Sequence, residues 1–234
     1  MSGPQNTVRQ GGEAQSRVDR VYEHLLERII SGSIRYGDTI SIKRVAAELS
    51  VSSMPVREAV KRLEFEGIVT IKPRSACKVR VPTRKMILEV YQLREAMEGF
   101  AVTCCGSTAT EAAMARLRDI VAQMRLCAAE PDEDARAQKA IALDRRFHEE
   151  IIGLAGNELL NAFSRQLSLH VNMTLMHEKT YHALEADWAE MHAGILEWLK
   201  KDPGRAVALL HQQFARATEL WMKSGEPAAA DPLP

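Results

Sequence analysis

Strand-forming sequence is confined to one short stretch of the chain, which limits the fold to a mainly helical class. Residues 68–71 and 78–81 are rich in β-branched side chains, and residues 73–76 join them, which predicts a two-stranded wing. After Pro82 the apolar residues recur at helical spacing with no further strand signal. The pattern predicts a winged helix-turn-helix followed by an all-α bundle of about six helices.

The chain of 234 residues is long enough for two domains, each with its own core. We expect the winged domain at residues 16–82 and the helical domain at residues 83–225. Residues 1–15 are rich in Gly, Gln and Ser and predict a disordered arm, and residues 226–234 predict a flexible tail.

Two short helices with a tight joint are predicted inside the first domain. Ser41 is placed to cap the first of them. After a short break, Ser52 or Ser53 caps the second, which has Pro55 in its first turn and Gly67 beyond its end. This arrangement is typical of a helix-turn-helix.

Charge is distributed unevenly along the chain, although the formal net charge is zero. Residues 1–82 carry 14 Lys and Arg against 9 Asp and Glu, whereas residues 83–234 carry 17 against 22. A basic surface in the first domain indicates nucleic acid as its partner.

Several classes of protein are disfavoured by composition. No apolar run approaches the roughly 20 residues that span a bilayer, and the N-terminus lacks a signal-peptide pattern, so we expect a cytoplasmic protein. The four cysteines show no CxxC spacing, which argues against a zinc knuckle or a disulfide framework and favours inert, buried thiols.

The first domain carries a specific motif. It reads VSSMPVREAV at residues 51–60 and RLEFEG at residues 62–67, and the stretch around it strongly resembles the DNA-binding domain of the GntR family. The helical remainder resembles the FCD ligand domain of the FadR-like subfamily. The residues that carry this second resemblance are Arg94 with Glu98, Asp144 with Phe147 and His148, Gly156 with Asn157, and His192 with Ile195.

The resemblance implies a transcription regulator rather than an enzyme. Such regulators are mostly homodimers, and we expect this one to be a repressor that binds a palindromic double-stranded operator. Its DNA affinity is expected to change when a small metabolite, often a carboxylate, occupies the helical domain.

Two sites in the first domain depart from the family pattern. The family has an Arg–Thr pair where this chain has Ser53 and Met54, and a wing glycine where it has Ala76. Because Arg is the commonest reader of guanine, Ser53 lacks that contact. Met54 either offers an apolar contact to a thymine methyl group or merely packs.

Arg57 is the main candidate for DNA contact. It lies in the first turns of the recognition helix, opposite the inward Val56 and Val60, and the alternative is a solvated surface arginine. Ser52 is either a cap alone or also a neighbour of the phosphate backbone. The other candidates are Ser53 and Met54 on the same helix, Lys43 and Arg44 on the preceding helix, and Lys72, Arg74 and Lys78 on the wing.

A divalent metal site is predicted in the helical domain. Asp144 and His148 lie four residues apart and share a helix face, which suits zinc, nickel or manganese, although a local polar contact is the alternative. The resemblance implies His192 as a third ligand, and the fourth ligand position, a histidine in the family, falls on Gln213 in this chain. Either Gln213 offers a weak amide oxygen, or the last helix shifts its register and brings in His211, which lies about 200° away.

The same resemblance implies an effector pocket. Arg94 either pairs with Glu98 one turn further on, or helps to bind a carboxylate with its planar guanidinium. His170 is a further candidate, whereas His177 and His182 are expected to be ordinary surface or interhelical residues.

Two other functions would use the same residues. One is a regulator that senses the metal itself, which the sequence does not separate from an effector-binding regulator. The other is a metal-dependent hydrolase, which is disfavoured because the chain has no HExxH motif or nucleophile elbow and the helix-turn-helix would have no purpose.

Overall fold

The apolar spacing of the N-terminal third produces three short helices. The computed structural model describes residues 16–71, 77–175 and 187–223. Its first helices are α1 (Arg17–Ile30), α2 (Ile42–Glu48) and α3 (Ser53–Phe65). The Ser41 hydroxyl caps α2 by accepting a hydrogen bond from the Arg44 amide at 3.3 Å. Gly67, with a φ of 75°, lets the chain turn away after α3.

A small antiparallel sheet completes this part of the chain. Its strands are β1 (Thr39–Ile40), β2 (Val69–Ile71) and β3 (Cys77–Val79), in the order β1–β3–β2. The predicted two-stranded wing is present as the pair β2–β3. Strand β1 was not predicted; in it, Ile40 pairs with Cys77 and buries its side chain. A strand of two residues is too short to show an alternating pattern. The connecting segment at residues 73–76 lies outside the described residues.

The remainder of the described chain is helical, so the mainly α fold class is confirmed. Its six helices are α4 (Arg84–Thr108), α5 (Glu111–Cys127), α6 (Glu133–Gly153), α7 (Glu158–Leu175), α8 (Trp188–Trp198) and α9 (Pro203–Lys223). Asp202 caps α9 by accepting a hydrogen bond from the Arg205 amide at 3.1 Å. Among the described helices, none combines the length and apolar character needed to cross a membrane.

Two compact units divide the chain. Within the described residues, the first holds the helix-turn-helix and the sheet, and its core includes Leu25, Val56 and Leu63. The second begins at Arg80, and its core includes Phe147 and Ile195. In the second unit, α4 packs against α6, α7 and α9.

The cysteines behave as structural side chains. None of the four forms a disulfide; Cys77, Cys105 and Cys127 are buried and Cys104 is partly exposed. Burial, helped by the Glu64 carboxylate, raises the pKa of the Cys77 thiol to about 11. The thiol therefore stays protonated and unreactive at neutral pH.

Candidate functional site

The outward face of α3 presents the residues expected to meet DNA. Val56, Ala59, Val60 and Leu63 are buried against the first unit. On the opposite side Met54, Arg57, Lys61 and Phe65 are exposed at spacings of three and four residues, so they share one face. Arg57 and Lys61 make no ion pair with any described residue, which leaves both charges available to phosphates or bases.

Lys61 was missed by the sequence analysis. It follows Arg57 by four residues, and that spacing is the signal that would have placed both side chains on one helix face. Its neighbour Arg62 turns away from this face, because it pairs with Asp19 and Glu66 and stacks on the Tyr22 ring.

The remaining DNA candidates fall at exposed positions or outside the described residues. Ser52 is the residue before α3, but its hydroxyl makes no capping hydrogen bond, so it is free for another partner. Ser53, Met54, Lys43 and Lys78 are exposed, and Arg44 is exposed beside Glu48 at 3.6 Å. Lys72 and Arg74 lie outside the described residues.

The second unit contains a cluster of buried polar side chains. Within the described residues, the buried polar and charged side chains are Arg94, Glu98, Asp144, His148, His192 and Gln213. They come from α4, α6, α8 and α9. Burial of such groups is costly unless they are paired, so their contacts account for their presence in the core.

Three possible ligand atoms converge at the centre of this cluster. The Nε2 atom of His192 lies 3.2 Å from Asp144 Oδ1 and 3.3 Å from His148 Nε2. His148 Nε2 lies 3.6 Å from the same carboxylate oxygen. The three residues thus form a group that could hold a metal ion, with ligand atoms within 4.8 Å of one another.

Each of the two imidazoles is oriented by its other nitrogen. Nδ1 of His192 donates to the Trp188 carbonyl at 2.7 Å, and Nδ1 of His148 lies 2.5 Å from Glu98 Oε2. Because a carbonyl oxygen only accepts, the Nδ1 atom of His192 carries the proton. The Nε2 lone pair of His192 therefore points toward the cluster centre.

Arg94 links the two carboxylates of the cluster. Its Nε donates to Glu98 Oε1 at 2.7 Å and its Nη2 donates to Asp144 Oδ2 at 3.3 Å. The other Asp144 oxygen, Oδ1, accepts from the Trp188 indole at 3.3 Å. The pairing predicted with Glu98 is therefore present, and Arg94 also reaches a second helix through Asp144.

The register of α9 turns Gln213 toward the cluster. Gln213 is buried, and its Nε2 lies 2.9 Å from His192 Nε2. Its Oε1 is buried and accepts no hydrogen bond from any described residue. His211 is exposed on the other side of the helix, where Nδ1 lies 3.1 Å from Glu95, so the alternative register is not the one observed.

The electrostatics of the cluster favour a charged Asp144 and a neutral His192. Burial alone would raise the pKa of Asp144, but His148 and Arg94 outweigh it and hold the pKa well below its usual range. Burial lowers the pKa of His192. For His148, burial and Arg94 act to lower the pKa, yet Glu98 and Asp144 prevail and raise it.

A cavity adjoins the cluster between α4, α6 and α7. Its lining includes Arg94, His148, Ser164 and Ser168. The apolar part of the lining includes Met97, Ile152, Leu167 and Val171. His170 is half-buried on α7 but is not among the described residues that line this cavity, whereas His177 and His182 lie outside the described residues.

Comparison with known proteins assigns the two units to families. The model for bacterial regulatory proteins of the gntR family matches residues 17–79, and the model for the FCD domain matches residues 89–216. The chain belongs to the GntR family. This GntR-family protein is a transcription regulator with an FCD ligand-binding domain. The motif at residues 51–67 predicted the first of these domains, and the resemblance of the helical remainder predicted the second.

Individual relatives agree with this assignment. A gluconate operon transcriptional repressor from Bacillus licheniformis is 35% identical over 87% of this chain and 86% of its own. The Nta operon transcriptional regulator from Aminobacter aminovorans is 30% identical over 79% of this chain and 85% of its own.

A solved structure shares the fold. Escherichia coli McbR/YncC has a TM-score of 0.76 at 20% identity, covering 90% of this chain and 99% of that chain. The matched families and relatives are regulators of transcription rather than enzymes.

Proposed function

We propose that this GntR-family protein is a repressor whose affinity for a palindromic operator is controlled by a small carboxylate bound at the buried cluster with a divalent metal. The observation that carries the proposal is the convergence of Asp144, His148 and His192 at the core of the ligand domain. The repressor from Bacillus licheniformis, at 35% identity, supports repression as the output.

The chemistry of the donor set fits a divalent metal. Two imidazole nitrogens and one carboxylate oxygen suit zinc, nickel or manganese, and Asp144, His148 and His192 would hold the ion. Each of these side chains already makes a contact behind its ligand atom, as metal-binding residues usually do. When bound, the ion would offer open coordination positions to an anionic ligand.

The charge of the cluster supports an anion as the effector. With neutral imidazoles, Arg94 contributes one positive charge against the two carboxylates of Glu98 and Asp144, leaving one negative charge. A divalent ion reverses this to one positive charge. A single carboxylate would then neutralise the buried cluster, which matters because an uncompensated charge is costly in a core.

Arg94 is placed to contact such an effector. Its Nε and Nη2 are engaged by Glu98 and Asp144, but no described residue accepts a hydrogen bond from its Nη1. Because Arg94 also lines the cavity, this free end would hydrogen-bond a carboxylate there, with Ser164 and Ser168 nearby. Pairing with Glu98 and binding of an effector are therefore compatible.

The test is to measure metal content, effector response and operator binding in one set of variants. We expect His148→Ala to lower metal occupancy and carboxylate affinity together while effector-free operator binding stays nearly unchanged. His211→Ala, an exposed histidine, is the matched control and should change none of them. A carboxylate at 100 times its Kd should add about 2.7 kcal/mol of stability in a thermal-shift screen with metal.

The outcomes of this screen separate the candidate functions. The proposal is contradicted if purified protein contains no metal, takes up none of zinc, nickel or manganese, and still releases its operator with a carboxylate. Release of the operator by metal alone, with no stabilisation by any carboxylate, would identify a metal sensor instead.

A homodimer through the second unit is part of the proposal, since paired half-sites double the DNA sequence that one recognition helix reads. Exposed large apolar side chains support a protein contact on the neighbouring helices α4 and α7. Leu93 and Phe100 are exposed on α4, seven residues apart, and Leu159 and Phe163 are exposed on α7, four apart. Each pair lies on one face of its helix, and clustered exposure of this kind marks interaction surfaces.

The dimer is tested with matched charge substitutions. We expect Phe163→Asp to produce monomers by light scattering and to weaken operator binding. Leu126→Asp, at an equally exposed apolar residue on α5, should leave the dimer intact. Monomeric wild-type protein at operator-saturating concentration would contradict the dimer, and an intact dimer in Phe163→Asp would contradict this surface.

A further inference from the structure

We propose that Gln213 sets the metal selectivity of the buried cluster, shifting it away from zinc and nickel and toward manganese. This inference rests on the proposed metal site and concerns the one group at its centre that departs from the family pattern. Gln213 contacts His192 directly, so a change in its chemistry acts on the ion itself rather than through the surrounding fold.

The position of Gln213 makes it a ligand candidate. It is 6% exposed, and its amide nitrogen lies 2.9 Å from the Nε2 atom of His192. Because Trp188 holds the proton on Nδ1 of His192, Nε2 is an acceptor, and without an ion the amide must present its N–H to it. A cation bound to that lone pair reverses the preference and favours the amide oxygen.

The amide oxygen is available for this role. Gln213 Oε1 is buried and receives no hydrogen bond from the residues that the structure describes. An unsatisfied buried acceptor is unfavourable, so this oxygen gains from a cationic partner. The oxygen and nitrogen of an amide occupy equivalent ends of one planar group, so rotation about the Cγ–Cδ bond exchanges them.

The consequence for selectivity follows from ligand hardness. Imidazole suits zinc and nickel, whereas carbonyl and carboxylate oxygens suit manganese. With Gln213 the cluster offers two nitrogen and two oxygen ligands, whereas a histidine at position 213 would give three nitrogens and one oxygen. Divalent zinc and nickel generally bind such sites more tightly than manganese does. The oxygen ligand from Gln213 makes this difference in affinity smaller.

His211 does not compensate for the missing imidazole. It precedes Gln213 by two residues and is therefore about 200° away around the helix. Its ring is half-exposed and paired with Glu95 on α4. The selectivity therefore depends on position 213 alone within α9.

The experiment measures metal affinity directly, without DNA or effector. Full-length protein is stripped with chelator and titrated with zinc, nickel or manganese against a chromophoric competitor. Gln213→His should tighten zinc and nickel by about tenfold or more and manganese by less than about threefold, as expected for exchanging an oxygen for a nitrogen ligand. Gln213→Glu, which keeps the size and supplies only oxygens, should tighten manganese more than zinc.

Controls separate failure of the inference from failure of the proposed function. His211→Ala should leave all three affinities unchanged, and circular dichroism should show that each variant is folded. Equal shifts for zinc and manganese in both Gln213 variants would overturn this inference while leaving the metal site intact. Failure of wild-type protein to bind any of the three ions would overturn the metal site itself.

Discussion

The two units of the chain place their charged side chains in opposite ways. Among the described residues of the first unit, no charged side chain is buried, and Arg57 and Lys61 are exposed on α3. The second unit buries six polar side chains in one connected cluster. DNA binding is therefore expected to depend on an exposed face, and ligand binding on a core.

This difference has an energetic consequence. Replacing a buried ion pair with apolar residues is often neutral or stabilising, so the cluster is not explained by folding stability. Removing one partner alone is destabilising, because it leaves a buried charge uncompensated. Substitutions in the buried cluster should therefore affect stability as well as function, whereas those on the outward face of α3 should affect function alone.

The largest expected effect is on stability, from Arg94→Met. This change removes the partner of Glu98 and Asp144 while keeping a side chain of similar length. We expect a loss of about 3–5 kcal/mol in the free energy of unfolding of metal-free protein. Urea denaturation followed by tryptophan fluorescence reports on this unit, since all three tryptophans lie in it.

Arg116→Met is the matched control for Arg94→Met. Arg116 pairs with Glu150 at 3.0 Å, but its side chain is 57% exposed, so the pair is worth at most about 1 kcal/mol. Similar losses in the free energy of unfolding of the two variants would mean that the buried cluster is no more important to stability than a surface ion pair. That result would contradict the contrast drawn between buried and exposed charges.

Arg57→Ala should have the next largest effect, and on the opposite property. Loss of a base or phosphate contact should cost about 1–3 kcal/mol of operator affinity, while the free energy of unfolding changes by less than about 0.5 kcal/mol. Each lost phosphate contact should flatten the dependence of log affinity on log salt by about 0.9. Fluorescence anisotropy across a salt series measures the operator affinity and its salt dependence, and urea denaturation measures the free energy of unfolding.

Arg62→Ala provides the contrast on the same helix. Arg62 is held by Asp19, Glu66 and the Tyr22 ring, so its loss should lower stability more than operator affinity. If Arg62→Ala weakens operator binding as much as Arg57→Ala and reduces the salt dependence equally, the outward face of α3 has been assigned incorrectly.

Local spacing carried most of the information that the sequence offered. The four-residue interval between Asp144 and His148 placed both on one helix face. The family resemblance and a count along α9 pointed to Gln213 and left His211 as the alternative, and in the structure it is Gln213 that faces His192. These inferences succeed because a helix fixes the relative direction of nearby side chains. The helix-turn-helix was equally accessible, since its apolar positions are local.

Contacts between distant segments were not accessible in this way. The hydrogen bond between His148 and Glu98 spans 50 residues, and that from the Trp188 indole to Asp144 spans 44, so no local pattern reveals either contact. Strand β1 was missed because it exists only through its pairing with β3. In each case packing between elements decides the structure.

The smallest expected effect is a gain of DNA specificity from Ser53→Arg. Ser53 is exposed as the first residue of α3, beside Met54, which is 63% exposed. An arginine there would bond to the O6 and N7 atoms of a guanine, a contact worth about 1–3 kcal/mol of discrimination against the wrong base. Binding to a library of operators with each base at the facing position should show a new guanine preference of about tenfold. Ser33→Arg adds the same charge to the exposed turn after α1 and should raise affinity equally for all bases or not at all. A gain in Ser53→Arg that is also independent of sequence would mean that the first turn of α3 contacts only phosphate.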